Sequence, residues 1–379
     1  MRILVLCYEY PPIGGGGGRV AQSIAEQLAA RGHAVRVQTA ALGWHSTREE
    51  IGGVEVFRTA SGRRVPDTCT VPEMGLFCLT SFLPALRHVR EWKPDVIHAH
   101  FAMPTGMLAW AVHRLTGVPY VLTAHLGDVP GGVPAQTDTL FQWIGPIARQ
   151  VWKRAAAATA VSSFVQELAV NAYHRPVVRI LNGIDLSSAS LPPPEPRRHR
   201  HLVFIGRLNP QKDPLFLLEA VALLLRLPWE LTFIGDGPLM DRLQGKIAAN
   251  GLQDKVRSTG WLDAVEVHRV MAGADILCMP SQSEGLPVAA IEALRHGLAI
   301  LATDIPGLRD VVDDGINGYL VPPGSVEAFA HKLQWLIESD ATLIAMKHAS
   351  WAKARTFDIV TIADEYEKVL REAAASHAP

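Results

Sequence analysis

Arg207 and Lys212 stand five residues apart in Gly206-Arg207-Leu208-Asn209-Pro210-Gln211-Lys212-Asp213, directly after an apolar β-type run. In a loop leaving a strand, two such cations could neutralise a diphosphate, the Arg as a planar fork and the Lys as a point charge. A solvated loop is the ordinary alternative, and position at a crevice separates the two readings. A second segment runs from Pro280 to Ala293, with Glu284 in a loop before a helical pattern and Glu292 inside that pattern. Free backbone N–H groups near Gly285–Val288, those of Gly285, Leu286 and Val288 around Pro287, would form an anion or hydroxyl site at the helix start. Glu292 lies among Val288, Ala289, Ile291 and Leu294, so it is expected to be partly buried. Two sugar hydroxyls would supply the partners a buried carboxylate needs, whereas a surface position on an ordinary helix would need none. A third feature, five glycines from Gly14 to Gly18, sits between a strand and a helix. Such glycines let backbone N–H groups approach a phosphate at a helix N-terminus, although a flexible surface loop reads the same way. The run is neither a dinucleotide fingerprint nor a Walker loop.

Elements that would hold these residues follow from periodicity. Arg2–Cys7 reads as a strand, Pro11 to Gly18 as a Gly-rich loop, and a helix starts near Arg19 and ends at Arg31-Gly32. His33–Thr39, 95–98 and 120–123 read as further strands with helical pattern between them. Leu186 to His201 is rich in Ser, Pro and Arg without periodicity and reads as a linker. Beyond it, strands at Leu202–Ile205, Glu230–Ile234, Ala274–Met279 and Ala299–Ala302 alternate with helices at Pro214–Leu225 and Val288–His296. The tail from about Ala341 to Ala375 is helical in pattern. Alternating strand and helix predicts an α/β chain of two Rossmann-like doubly wound domains facing across a cleft. The expected division is 1–185, a linker at 186–201, 202–355, and a C-terminal helical tail at 356–379 that crosses back to the N-terminal domain in one arrangement.

Composition narrows the class. With 379 residues, 48% hydrophobic and 19% charged, the chain suits a globular protein of roughly two or three domains. A net charge of −1 excludes a general nucleic-acid binder. The balance hides an asymmetry: residues 1–200 carry 20 Lys and Arg against 14 Asp and Glu, while the remainder carries 16 against 23. A basic N-terminal half favours an anionic partner, such as a membrane surface or acidic acceptor, and drift on solvated faces gives the same split. Cys7, Cys69, Cys78 and Cys278 form no C-x-x-C pair, which suggests reduced thiols in a cytoplasmic protein. Met1–Cys7 is too short an apolar run for a signal peptide, and no stretch reaches the ~18 residues that span a bilayer. Gly75 to Trp92 combines Leu76, Phe77, Leu79, Phe82, Leu83 and Leu86 with Arg87, His88 and Arg90. An interfacial amphipathic segment has this composition, which would bring the N-terminal domain to the inner face of the membrane; so does a domain-packing helix, and Pro84 interrupts the pattern. His98 and His100 are expected on opposite faces of a strand, as structural or acceptor-side residues.

Glu284 and Glu292, with seven residues between them, match the E-x7-E element of the retaining GT-B glycosyltransferases of family 4. Y-P-P…G-G…R-G-H (Tyr10 to His33), D-V-I-H-A-H (Asp95 to His100), T-A-H (Thr123 to His125) and N-G-I-D (Asn182 to Asp185) are similar to that family. So are G-R-L…K-D, G-D-G-P and D-G-I-N-G-Y-L-V-P-P-G (Asp314 to Gly324), so the resemblance runs through essentially the whole chain in order. It implies that Arg207 and Lys212 bind the diphosphate of a nucleotide sugar and that Glu292 holds the ribose hydroxyls. It implies also that Glu284, with the backbone of Gly285 and Leu286, holds the donor sugar. Gly15 and Gly16 would border the β-phosphate and acceptor, and His125 would sit by the donor sugar at the reacting face. Gly17 and Gly18 depart from the family's larger residues, Arg295 from a small one and Ala299 from a common Pro.

The expected reaction moves a sugar from a nucleotide-diphosphate donor to a hydroxyl of a glycan, lipid-linked or small-molecule acceptor, with retention. The resemblance implies a front-face route in which the departing phosphate oxygen helps remove the acceptor proton; Glu284 and His125 as an acid/base pair is the other assignment. No Asp-x-Asp stands at a strand end and the cations do a metal's work, so no metal and no cofactor are expected. A nucleotide-sugar epimerase of the same fold and a non-catalytic nucleotide-sugar binder are the rival readings.

Overall fold

The computed structural model describes residues 1–66, 68–187 and 198–376, with backbone alone for 135–140. Two compact units divide the chain, one of Met1–Ile184 with Asp358–Pro379 and one of Asp185–Phe357.

The first unit opens with β1 (Arg2–Leu6), α1 (Gly16–Ala30), β2 (Ala34–Leu42), β3 (Thr47–Ile51), β4 (Val54–Arg63) and α2 (Val71–Trp92). It continues through β5 (Val96–His100), α3 (Thr105–Thr116), β6 (Tyr120–Ala124), α4 (Pro134–Arg154), β7 (Ala157–Ala160), α5 (Ser163–Tyr173) and β8 (Val178–Arg179). Every residue of β5 and β6 is buried, as expected of parallel strands covered on both faces. The sheet order is β3-β4-β2-β1-β5-β6-β7-β8, and among the described residues only β3 is antiparallel to its neighbour. The hairpin of β3 and β4 is an addition that the sequence reading lacks. Another correction concerns α1, which starts at Gly16 rather than near Arg19, so three glycines form its first turn. Glycine is about 1 kcal/mol poorer than Ala inside a helix, and close tertiary packing overrides that cost here.

In the second unit, β9 (Arg200–Ile205), α6 (Pro214–Ala222), β10 (Trp229–Ile234), α7 (Met240–Ala249), β11 (Val256–Ser258) and α8 (Ala264–Ala272) come first. Then follow β12 (Ile276–Met279), α9 (Val288–Arg295), β13 (Ala299–Thr303), β14 (Gly318–Val321), α10 (Val326–Glu338) and α11 (Asp340–Lys353). The order β11-β10-β9-β12-β13-β14 is parallel throughout. Phe204, Trp229, Phe233, Leu301 and Phe329 anchor its core. Most of the expected linker, 188–197, lies outside the described residues. Its last residues, Arg200 and His201, belong instead to β9, because they pair in register with Trp229 and Glu230.

The helical tail is also two elements rather than one. After α11 comes a 3-10 turn at Ala354–Phe357, and Asp358 then caps α12 (Ile359–Ala375) by accepting from the Val360 N–H. This last helix packs on α1 in the first unit. Arg31 reaches Asp364 at 2.9 Å and His33 reaches Glu367 at 3.0 Å.

Candidate active site

In the second sheet, β10 and β11 lie beyond β9, while β13 and β14 lie beyond β12. The switch between β9 and β12 leaves a crevice outside their carboxyl ends, the usual ligand position in an open α/β sheet. Both charged segments leave the sheet there: Gly206–Asp213 follows β9 and Pro280–Pro287 follows β12. They are tied together by backbone and side chain. The Gln282 N–H donates to the Gln211 carbonyl at 2.8 Å, the Gln211 amide to the Ser283 carbonyl at 2.9 Å, and the Gln282 amide to Asp213 at 3.0 Å.

At this junction the Lys212 Nζ donates to Glu284 Oε1 at 2.5 Å, and the Ser281 hydroxyl donates to the same oxygen at 2.7 Å. Glu284 is buried, with its side chain 6% exposed, while the Lys212 side chain remains 21% exposed. A side-chain carbon at Gly307 would stand 1.8 Å from the Glu284 carbonyl oxygen, so only glycine lets the turn Pro306–Leu308 press against this loop. Gly285, Leu286 and Pro287 are buried, whereas Gly206, Arg207 and Glu292 are half-buried, the last within α9 as its apolar neighbours suggested. Sequence reasoning missed Ser281, Gln211 and Gly307. Ser281 lies within the Pro280–Ala293 segment, and its spacing of three from Glu284 is the available signal.

The first sheet switches direction between β1 and β5, with β2 beyond one and β6 beyond the other. Gly15 caps α1 and its N–H donates to Glu9 Oε2 at 3.1 Å, while Gly16 is the first helical residue. His125 follows β6 and is 8% exposed; its backbone N–H donates to Asp128 Oδ1 at 2.7 Å. The Ala102 N–H donates to the other Asp128 oxygen. Burial pushes the Asp128 carboxyl up to about 8, against the pull of those backbone donors. Burial also takes the His125 imidazole down to about 4, and its Nε2 has no hydrogen-bond partner among the described residues. A neutral ring with one nitrogen unspent can exchange a hydrogen bond with a hydroxyl.

His98 and His100 require a correction. They lie on one face of β5, not on opposite faces, with ring centroids 4.2 Å apart, because residues two apart on a strand share a face. His98 Nε2 meets the Thr123 hydroxyl at 2.8 Å. Burial, and then the neighbouring imidazoles, lower His98 to about 3 and His100 well below its ordinary value. Both are neutral core groups beside the loop that carries His125.

Residues 14–188 match the family model described as Glycosyltransferase Family 4, and residues 192–354 match that of Glycosyl transferases group 1. A phosphatidyl-myo-inositol mannosyltransferase of Mycolicibacterium smegmatis is 30% identical over 90% of this chain and 86% of its own. The chain belongs to glycosyltransferase family 4. The phosphatidyl-myo-inositol mannosyltransferase of Mycobacterium leprae is 28% identical to this glycosyltransferase, covering 99% of it and 98% of the relative. A 2-deoxystreptamine glucosyltransferase of Streptomyces kanamyceticus is 28% identical over 68% of this chain and 71% of its own. Among solved structures, the sucrose-phosphate synthase of Thermosynechococcus elongatus superposes with a TM-score of 0.83 at 20% identity, covering 99% of this chain and 100% of that one. Anabaena HepE in complex with UDP reaches 0.76 at 21% identity, over 98% and 100% of the two chains. The glycosyltransferase thus has the GT-B fold, two doubly wound α/β domains, as the strand–helix alternation predicts.

Proposed function

We propose that this glycosyltransferase moves a sugar from a nucleoside-diphosphate donor to an acceptor hydroxyl, with retention at the anomeric carbon and without a metal ion. The observation that carries the reading is the Lys212–Glu284 pair, set with Ser281 at the β9/β12 switch. An ammonium has three donors, and Glu284 uses one, leaving the others for phosphate oxygens. Arg207 on the same loop adds a fork, and together the cations stabilise the charge that grows on the departing diphosphate. That leaving group is acidic enough to depart without a general acid. As its bond to the anomeric carbon breaks, the acceptor oxygen bonds to that carbon from the same face and passes its proton to the leaving phosphate oxygen. Glu292 holds the ribose hydroxyls, and Glu284 with the backbone of Gly285, Leu286 and Pro287 holds the donor sugar. Gly206 gives the phosphate-binding loop its turn. In the first unit, Gly15 and Gly16 border phosphate and acceptor, and His125 contacts a sugar hydroxyl.

Family membership favours transfer over the epimerase and the non-catalytic binder. The relatives' names include a phosphatidyl-myo-inositol and a 2-deoxystreptamine transferase, and the acceptor proposed here is a glycan, lipid-linked or small-molecule hydroxyl. Thermal stabilisation by UDP-, GDP- and dTDP-sugars selects the donor. Turnover with that donor should require acceptor, survive a chelator, and give a product with the donor's anomeric configuration. Donor conversion without acceptor, or inverted product, would replace this reading.

We also infer peripheral contact of the first unit with the inner face of the membrane, in a cytoplasmic protein whose four cysteines are free thiols. Leu79 and Leu83, one turn apart on α2, are 76% and 72% exposed, while Phe77, Ala85, Leu86 and Val89 pack inward. An exposed Trp44 lies with Leu76 around Gly62, extending the apolar surface. Such a surface, followed by Arg87 and Arg90, suits an anionic interface. Among the described residues no helix is long and apolar enough to cross a membrane. Sedimentation with phosphatidylglycerol vesicles should fall in Leu79→Gln/Leu83→Gln; unchanged sedimentation assigns α2 to packing alone.

A further inference from the structure

Beside the C-terminal half of α2 lies an open groove of about 760 Å³ whose lining includes Arg36, Arg48, Arg87, Arg90, His88 and Leu83. Its cations come from three elements: Arg36 from β2, Arg48 from β3, and Arg87 and Arg90 from α2. Glu55 on β4 meets two of them, Arg36 at 3.4 Å and Arg48 at 2.8 Å. Glu91 meets Arg87 at 3.3 Å. Four guanidinium groups therefore face two carboxylates, and the groove keeps an excess of two positive charges. The Arg36 guanidinium is held over the Trp92 ring at 4.5 Å and the Phe57 ring at 5.5 Å, with Arg48 over the same Phe57 ring at 5.1 Å. Stacked guanidiniums lose little freedom on binding a ligand and keep their edges for hydrogen bonds.

His88 lies in the groove wall, its ring edge-on to Phe57 with centroids 4.4 Å apart. Burial lowers its imidazole to about 4; Arg36, Arg48 and Arg87 push the same way and Glu55 opposes them. The ring is thus a neutral donor or acceptor standing in positive potential. Leu83 is shared between the groove and the exposed stripe of α2. A ligand seated there would meet guanidinium edges on one side and an apolar surface on the other.

We propose that this groove is a binding site for one phosphoryl group, presented by the headgroup of an anionic phospholipid, outside the loops assigned to donor and acceptor. Guanidinium forks match phosphate oxygens, and the adjoining leucines match the acyl boundary. The lipid source rests on the peripheral-membrane reading of α2, whereas the phosphoryl chemistry does not.

Histidine-labelled full-length protein, with the His88 signal identified from His88→Gln, gives the test by NMR titration. The probes are short-chain phosphatidylglycerol, short-chain phosphatidylcholine and inorganic phosphate, each kept below any micelle concentration. Phosphatidylglycerol should move the His88 ring signal saturably and raise its titration midpoint, because an anion stabilises the protonated ring. Inorganic phosphate should do the same at higher concentration, and phosphatidylcholine should do so only feebly. Arg90→Ala and Arg48→Ala, both at exposed positions, should each weaken phosphatidylglycerol binding about tenfold, as expected for one lost charge-assisted contact. A His88 signal indifferent to both anions, or affinities unchanged in both variants, overturns the site. A His88 response to phosphate in protein that ignores phosphatidylglycerol vesicles keeps the phosphoryl site, assigns it to a soluble phosphate and retires the membrane reading. Vesicle binding with a silent His88 does the reverse.

Discussion

The Phe101 ring lies almost flat on the His125 imidazole, with centroids 4.4 Å and planes 30° apart. Phe101 holds a left-handed backbone at φ 68°, rare for a residue with a side chain, and its ring is also edge-on to Tyr8. A side-chain carbon at Gly17 would stand 2.6 Å from this ring and 3.4 Å from His125 Nδ1. Gly17 therefore makes room for the ring that stacks on His125.

Gly17→Ala should accordingly displace Phe101 and cost about 1–3 kcal/mol of stability, the usual range for overpacking. Its kcat/KM for acceptor should fall, and Phe101→Ala should restore part of it in the double variant. Additive losses in a double-mutant cycle would separate Gly17 from the ring.

Lys212→Ala leaves the buried Glu284 without its cation. Its kcat/KM should drop on the order of 10²–10³-fold, as when one transition-state donor is removed. Donor affinity measured by calorimetry should weaken in Lys212→Ala and in Glu292→Ala. Unchanged affinity in both would refute the donor-site assignment.

Acid should destabilise the first unit. His98 and His125 have folded-state values of about 3 and 4 against an ordinary 6.5, and His100 is lowered well below it. Their unfolded forms bind protons that the folded forms refuse, so their contribution is present above pH 6.5 and lost as pH falls from there toward 4. Each such group costs about 1.4 kcal/mol per pH unit within its window. Asp128, raised to about 8, acts oppositely by taking a proton in the folded state as pH falls toward 3.8. His88 on α2, lowered to about 4, adds a fourth such imidazole, and four groups against one give a net loss, read as a falling Tm between pH 6.5 and 4.5. Asp128→Asn removes the opposing group and should steepen that fall.

Lys347 and Asp275 form a buried ion pair at 2.8 Å, with side chains 1% and 0% exposed. Asp275 also accepts the His201 backbone N–H at 3.0 Å, at the start of β9. Removing one partner strands a buried charge, so Lys347→Met should cost about 3–5 kcal/mol in urea unfolding. Asp275→Asn/Lys347→Met should cost less than the two single changes summed.

Local spacing was enough to place most strands and the helices after them, because burial on both faces writes a continuous apolar run and one buried helix face writes a 3.6-residue repeat. It also placed Arg207, Lys212 and Glu284 in loops at strand ends, and Glu292 on a half-buried helix face. Tertiary structure alone decided the partners. Lys212 meets Glu284 across 72 residues of chain because β9 and β12 are neighbours at the sheet's switch, and strand order is not a local property. The same holds for Arg31, which finds Asp364 on a helix more than three hundred residues later, and for Gly17, where the Phe101 ring leaves no room for a side chain. Periodicity states which face of an element is hidden; what hides it is settled only when distant elements pack.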